Sequence, residues 1–202
     1  AKGAEIACVT SGGKLLQCAK EYNLNFIQLP TAESPRTMMG YSITQLLYFL
    51  NHYGLISDTF KAELNNAATL IDDLQEEIQA DAERISDHIE GKMPVIYACD
   101  GYEGMAVRFR QQINENAKML CWHHIVPEMN HNELVGWRNK DENLAVIFFR
   151  NDTDYTRNQK RLEINKEVVS KYTSSVMEYW SKGTTMIEKT FYFVNIGDHV
   201  SY

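Results

Sequence analysis

Short apolar runs, each followed by a turn signal, constrain the fold of this chain most. They are AEIACVT at 4–10, MPVIYAC at 93–99 and NLAVIFFR at 143–150. Runs of this length without polar alternation are typical of strands that are covered on both faces. Helical patterns separate them, so the sequence predicts an α/β fold with parallel sheets.

The first run opens a predicted βαβ unit. Ser11, Gly12 and Gly13 follow it, then the helical KLLQCAKEYN, then the strand-like NFIQLP, which Pro30 ends. Ligands of such folds gather at the carboxyl ends of the strands, where these three residues lie. Their backbone N–H groups are candidate donors to an anion or to sugar hydroxyls. A tight turn with no ligand is the alternative.

The stretch 34–56 predicts a helix that is buried because it is apolar on most sides. Ser34 is its expected N-cap, Pro35 its first residue and Gly54 its end.

Arg36 stands at the start of this apolar helix. A buried, unpaired guanidinium is very costly, so Arg36 must reach solvent, a carboxylate such as Glu33, or a ligand.

The stretch 57–90 predicts a single long amphipathic helix with one buried stripe. Its apolar residues recur every three or four positions: Leu64, Ala67, Ile71, Leu74, Ile78, Ala82, Ile85 and Ile89. We interpret it as a link between two sheet units; a coiled coil is the alternative.

The remainder predicts a second α/β unit. Strands are expected at 93–99, 118–126, 143–150 and 174–181, with helices at 102–117, 156–172 and 183–202. We therefore predict three parts: a first α/β unit at 1–56, a linking helix at 57–92 and a second α/β unit at 93–202.

Charge and cysteine usage exclude some classes of function. The net charge is −7 and the sequence pI is about 5.4, which argues against partners that need basic patches, such as nucleic acid or anionic membranes. No apolar run reaches the roughly 18 residues of a membrane span. The four cysteines, Cys8, Cys18, Cys99 and Cys121, form no CxxC pair, which fits a reducing cytoplasm, and Cys8 and Cys99 are expected to be small core residues.

Two proton-transfer residues stand between asparagines, Glu115 in NENAK and His131 in NHNE. Core packing does not require this pattern, whereas it suits a site for a hydroxyl-rich ligand. In the plainer interpretation, Glu115 is a solvated helix-end residue and His131 a core or capping histidine.

A metal site is not predicted, although His123, His124, His131 and Glu133 lie close in sequence. Adjacent histidines on a strand point to opposite faces, and there is no HExxH motif. A metal-dependent hydrolase using His123, His131 and Glu133 is kept as an alternative.

Four motifs occur in order: SGGKL, SPRTMMGYS, NENAK and PEMNHNELVGW. Together they resemble the bifunctional phosphoglucose/phosphomannose isomerase family of the sugar isomerase (SIS) superfamily, over nearly the whole chain. The resemblance implies SIS-type αβα layers in two subdomains joined by long helices, with the first subdomain incomplete.

The resemblance also implies catalytic roles. Glu115 matches the base that moves a proton between C1 and C2, and Arg36 matches the arginine beside the developing enediolate. His131 matches the residue that helps to open the sugar ring, which a neighbouring subunit contributes, so a homodimer is implied.

Supporting residues follow from the same resemblance. Ser11, Gly12 and Gly13 are expected near the sugar end. Asn130, Asn132 and Glu133 are expected to orient His131.

The implied protein is a cytoplasmic enzyme of glycolysis and gluconeogenesis that acts on a hexose 6-phosphate without metal or organic cofactor. The family's N-terminal phosphate-binding loops and C-terminal lysine-bearing helix are not in these 202 residues. The chain is therefore expected to be a fragment that is inactive alone. A sensor with this fold that binds a sugar phosphate without catalysis is the alternative, and the motifs do not separate glucose from mannose preference.

Overall fold

The structure is a computed structural model that describes residues 3–32 and 34–202, without the side chain of Pro35. It divides into two compact units, Ala1–Leu64 and Asn65–Tyr202. The boundary falls inside a helix, Thr59–Asp73.

Unit 1 begins with the predicted βαβ motif. Strand β1 (Ala7–Thr10), helix α1 (Gly13–Glu21) and strand β2 (Asn25–Gln28) follow one another. The two strands pair in parallel, from Ala7 opposite Asn25 to Thr10 opposite Gln28. Both strands therefore end at the same edge of the sheet, as the sequence predicted.

The second helix of unit 1 is less buried than predicted. A 3-10 turn, Pro35–Met38, precedes helix α2 (Met39–His52), and the Ser34 hydroxyl caps the turn by accepting the Arg36 N–H at 3.4 Å. No side chain of α2 is fully buried, and Tyr41 and Leu46 are 53% and 52% exposed. The prediction of a buried helix is wrong for the described chain because a two-stranded sheet offers little area for a helix to cover.

The predicted long helix is two helices, α3 (Thr59–Asp73) and α4 (Gln75–Ile89). Leu74 leaves the helical conformation, with φ −102° and ψ 12°. The apolar spacing continues through the break, so periodicity alone could not reveal it. The predicted stripe is buried mainly in α4. Five of its eight residues are buried, Ala67, Ile78, Ala82, Ile85 and Ile89, and the other three, Leu64, Ile71 and Leu74, are half-buried.

Unit 2 is built on a four-stranded, wholly parallel sheet in the order β4-β3-β5-β6. Its strands are β3 (Met93–Cys99), β4 (Trp122–Val126), β5 (Leu144–Arg150) and β6 (Val176–Trp180), and its further helices are α5 (Glu103–Gln112), α6 (Met129–Asn132), α7 (Thr156–Val169) and α8 (Met186–Ser201). All four strands lie within the predicted ranges, but β4 is shorter than predicted, since residues 118–121 are not part of it. The chain leaves β3 for β4 on one side and returns past β3 to β5 on the other.

Helices cover both faces of this sheet. One core joins α4, α5 and α8 to one face and includes Ile85, Phe109 and Phe193. The other joins α6 and α7 to the opposite face and includes Met129 and Leu162. Successive residues of a strand point to opposite faces, so β3 supplies both cores. The result is the αβα arrangement with parallel sheets that the sequence predicted.

The cysteines behave as the apolar runs predicted. Cys8 and Cys99 are buried free thiols. Burial raises the pKa of Cys99, and it raises the pKa of Cys121 to about 12, so both thiols stay protonated. Among the described helices, none is long and apolar enough to span a bilayer.

Helix α8 begins with a cap that can be tested. The Thr185 hydroxyl accepts the Glu188 N–H at 3.3 Å, and the Glu188 carboxylate accepts the Thr184 N–H at 2.6 Å. We expect Thr185→Ala to lower the free energy of unfolding by about 1 kcal/mol, since it removes one partner of this cap. Urea denaturation measures the change. The control is Thr69→Ala, an exposed site within α3; an equal loss in both variants would contradict the capping role.

Candidate functional site

Glu115 lies on a π-helical segment that two asparagines hold in place. The segment, Ile113–Ala117, continues α5, and the left-handed Lys118 (φ 58°) ends it. Asn114 Nδ2 donates to the Met119 carbonyl at 2.8 Å, and Asn116 Nδ2 donates to Ser201 Oγ in α8 at 2.9 Å. The Glu115 side chain is exposed between them. The flanking amides thus fix the backbone that presents this carboxylate, and π-helical turns are frequent at functional sites.

His131 lies on the short helix α6, which directly follows β4, and its side chain is exposed. Asn130 anchors this helix to α7, because its Nδ2 donates to Asn165 Oδ1 at 2.6 Å. Asn165 is fully buried in α7, and its own Nδ2 donates to Met129 Sδ at 3.1 Å. A hydrogen bond between the half-buried Asn130 and the buried Asn165 therefore fixes the position of the helix that carries the imidazole.

A second buried contact holds the chain just after His131. The Tyr97 hydroxyl, on the central strand β3, donates a hydrogen bond to Glu133 Oε1 and accepts Trp137 Nε1–H at 3.1 Å. Burial, followed by the adjacent Glu133 carboxylate, raises the pKa of Tyr97, so its hydroxyl stays protonated and keeps donating. This three-residue network ties α6 to the centre of the sheet.

Removal of the Tyr97 hydroxyl is expected to destabilise unit 2. Tyr97→Phe leaves Glu133 and the Trp137 indole without this partner, and we expect a loss of about 1–3 kcal/mol in the free energy of unfolding. Chemical denaturation is the measurement. The matched control is Tyr172→Phe, since Tyr172 packs against the same core and its hydroxyl has no hydrogen bond within the described part of the chain. Equal effects of the two substitutions would contradict the network.

The three residues predicted to orient His131 have other partners. Asn130 bonds to Asn165, Asn132 donates to Glu128 Oε1 at 3.4 Å, and Glu133 accepts from Tyr97. These contacts fix the segment around His131. Orientation of the imidazole itself by these side chains stays a prediction.

Glu115 and His131 lie at opposite ends of strand β4. The segment with Glu115 leads into the amino end of the strand at Trp122, and α6 leaves its carboxyl end after Val126. A five-residue strand is about 13 Å long at 3.3 Å per residue. One chain therefore presents the two groups at opposite edges of its sheet.

The other two predicted elements belong to unit 1 and follow its two parallel strands. Gly12 N–H is already engaged, since it donates to the Thr10 hydroxyl at 3.2 Å, and Gly13 has φ +68°. Arg36 is half-buried in the 3-10 turn that follows β2. Glu33, its suggested partner, lies outside the described residues.

The histidines of β4 do not assemble with other ligands. Within residues 3–32 and 34–202, no group of three or more His, Cys, Asp or Glu side chains is arranged to hold a metal ion. Burial, then Arg110, lowers the pKa of His123, and Tyr97 engages Glu133.

Comparison with known proteins places the chain in a family. Residues 78–202 match the family model described as bacterial phospho-glucose isomerase C-terminal SIS domain. That match covers more than half of the chain, so the chain belongs to this family, as the sequence motifs predicted.

Relatives extend the similarity to the whole chain. A bifunctional phosphoglucose/phosphomannose isomerase of Caldicellulosiruptor bescii is 30% identical, with 100% of this chain and 62% of the relative aligned. The protein of the same name from Aquifex aeolicus is 28% identical, over 99% and 61% of the two chains. The chain thus spans about three fifths of the length of these relatives.

Solved structures support the fold. A putative phosphosugar isomerase from Clostridium difficile 630 aligns with a TM-score of 0.68 and 15% identity, over 99% of this chain and 61% of the other. The C-terminal domain of glucosamine-fructose-6-phosphate aminotransferase from Francisella tularensis aligns with a TM-score of 0.67 and 13% identity, over 99% and 70%. At this identity the likeness establishes the fold alone.

Sequence reasoning missed three buried polar residues near these elements. Tyr97 lies inside an apolar strand run, Asn165 falls in the buried stripe of α7 between Leu162 and Val169, and Lys189 is only 1% exposed in α8. A polar residue at a buried position of a helix or strand was the available signal, because such a group requires a partner.

Proposed function

We propose that this chain forms part of an aldose–ketose isomerase that interconverts glucose 6-phosphate, mannose 6-phosphate or both with fructose 6-phosphate through a cis-enediol. The proposal transfers the activity named for its relatives to this chain. The observation that carries it is the exposed Glu115 carboxylate, held on a fixed π-helical segment by Asn114 and Asn116.

The proposed chemistry needs a base, a cation and a group that opens the ring. Glu115 removes the proton from one of the two carbons C1 and C2 and returns it to the other. Arg36 stabilises the negative charge of the enediolate oxygens, a kind of interaction that supplies several kcal/mol in enzymes. His131 transfers a proton at the ring oxygen, and a histidine suits this role because its ordinary pKa is about 6.5.

The proposed site contains residues of two chains. Glu115 and His131 lie at opposite edges of one sheet, so a site that uses both is formed most simply by Glu115 of one chain and His131 of a second copy. A homodimer with two-fold symmetry builds two such sites at once. Ser11, Gly12 and Gly13 are proposed to lie near the sugar, and no cofactor is part of the mechanism.

The wider assignment is part of the same proposal. We assign residues 1–56 to a first SIS subdomain, 57–92 to a link and 93–202 to a second subdomain. The protein is proposed to work in the cytoplasm, in glycolysis and gluconeogenesis, with no nucleic-acid or membrane partner.

Exchange of the C2 proton separates this proposal from a non-catalytic sugar-phosphate sensor. The natural full-length protein is incubated with glucose 6-phosphate or mannose 6-phosphate in D₂O, and proton NMR follows the C2 signal and the appearance of fructose 6-phosphate. An enediol mechanism replaces the C2 proton with deuterium during turnover. Binding of the sugar phosphates without exchange or product would favour the sensor and overturn the isomerase.

A further inference from the structure

Unit 2 contains a cleft that the proposed isomerase mechanism does not use. It lies at the carboxyl ends of β3 and β5, between the 3-10 turn Asp100–Tyr102, the turn at 153–155, and Thr184 and Met186 at the start of α8. From β3 the chain continues to β4 on one side of the sheet, and from β5 it continues to β6 on the other side, so the direction of strand addition reverses between β3 and β5. In open α/β sheets, ligands bind outside the carboxyl ends of the strands at such a point. The cleft volume of about 350 Å³ suits one small molecule, because ligand sites typically measure about 300–1,000 Å³.

Hydroxyl and carboxylate groups form the polar part of the lining. Asp100 and Asp154 contribute carboxylates, and Thr153 contributes a hydroxyl whose oxygen lies 3.4 Å from that of Tyr102. Tyr155 and Met186 are 63% and 58% exposed and form apolar walls. Hydrogen-bonding groups beside an aromatic wall match a sugar ring, which has hydroxyls at its rim and C–H groups on its face.

The lining is held in place before any ligand binds. The Asp154 carboxylate accepts the Asn151 N–H at 3.2 Å, and Asp154 is only 7% exposed. The buried Lys189 ammonium forms an ion pair with Asp152 and donates to Thr153 Oγ1 at 3.2 Å. A fixed polar lining lowers the entropic cost of binding.

The charge of the cleft disfavours phosphate. The ion pair of Lys189 with Asp152 is neutral as a unit, so it does not offset the lining carboxylates. The Glu188 carboxylate accepts the Thr184 N–H at 2.6 Å and adds negative charge at the N-terminus of α8. A ligand in this cleft is therefore surrounded by hydrogen-bond acceptors and negative charge, which repel a phosphate group.

We propose that this cleft binds one ring of an unphosphorylated, hydroxyl-rich small molecule, with a preference for a ring that bears an ammonium group. The inference goes beyond the proposed isomerase activity, whose substrates carry a phosphate. It does not depend on turnover, and its residues are separate from Glu115, His131 and Arg36.

Titration by ¹⁵N–¹H NMR of the natural full-length protein tests the proposal, with D-glucosamine, D-glucose and D-glucose 6-phosphate as the three probes. We expect glucosamine to shift the amide signals of 100–103, 153–155 and 184–187 in a saturable way, glucose to do so more weakly, and glucose 6-phosphate to leave them unchanged. Asp100→Asn, at an exposed carboxylate, should weaken glucosamine binding roughly tenfold. Asp72→Asn, exposed on α3, is the matched control and should not change it.

Three results would overturn the proposal: shifts that do not saturate with glucosamine, equal shifts with glucose 6-phosphate, or equal affinities of the Asp100→Asn and Asp72→Asn chains. Because the readout is binding to unit 2 rather than catalysis, an inactive isomerase leaves this test intact, and a failed titration leaves the isomerase proposal standing.

Discussion

Glu115→Gln in the natural full-length protein is expected to lower kcat for glucose 6-phosphate isomerisation by about 10²- to 10⁴-fold while substrate still binds. The amide keeps the shape of the side chain but cannot accept the C2 proton. The hydrogen bonds from Asn114 to Met119 and from Asn116 to Ser201 remain available in the variant. We therefore expect the π-helical segment to keep its fold. A coupled assay for fructose 6-phosphate measures kcat, and isothermal titration calorimetry measures substrate binding.

The matched control for this substitution is Glu167→Gln, at an exposed glutamate on α7. It should leave kcat unchanged. Near-normal turnover of Glu115→Gln would exclude Glu115 as the base. Loss of activity in both variants would indicate a general effect of lost charge rather than a role in proton transfer.

His131→Asn is expected to lower turnover of the cyclic substrate by about 10²- to 10⁴-fold as well, because asparagine cannot transfer a proton at the ring oxygen. The substituted side chain is exposed, and the contacts that anchor α6 come from Asn130 and Glu133. The free energy of unfolding should therefore change little. The same coupled assay and a urea denaturation curve measure the two quantities.

His52→Asn, at an exposed histidine at the end of α2, is the control for His131→Asn. An unchanged kcat in His131→Asn would remove the imidazole from the mechanism. A large loss of unfolding free energy would show that the residue acts through stability instead.

The sequence predicted the strands of unit 2 well because a strand that is buried on both faces consists almost entirely of apolar residues. VIYAC in β3 and AVIFF in β5 contain almost no polar residue, and they form the two central strands. The break between α3 and α4 at Leu74 could not be seen in the sequence, since the spacing of the apolar residues continues across it. The exposure of α2 was equally hidden, because it depends on how much sheet the helix can cover and not on the helix itself.

The sequence named residues for the candidate site, but it did not show the contacts that hold their segments in place. NENAK and NHNE singled out Glu115 and His131, and their positions before and after the predicted strand 118–126 already implied opposite ends of that strand. The Tyr97 and Asn165 contacts link residues far apart in the chain. One sequence shows the polar residue but not the tertiary contact that satisfies it.

Mixing of the two inactive variants tests the shared site most directly. Glu115→Gln and His131→Asn proteins are dissociated together, reassembled and assayed. If each site takes Glu115 from one chain and His131 from the other, half of the dimers are mixed and each has one intact site, so about a quarter of wild-type activity should return. Recovery of no activity from a mixture shown to contain mixed dimers would contradict the account, because both residues would then have to act from the same chain.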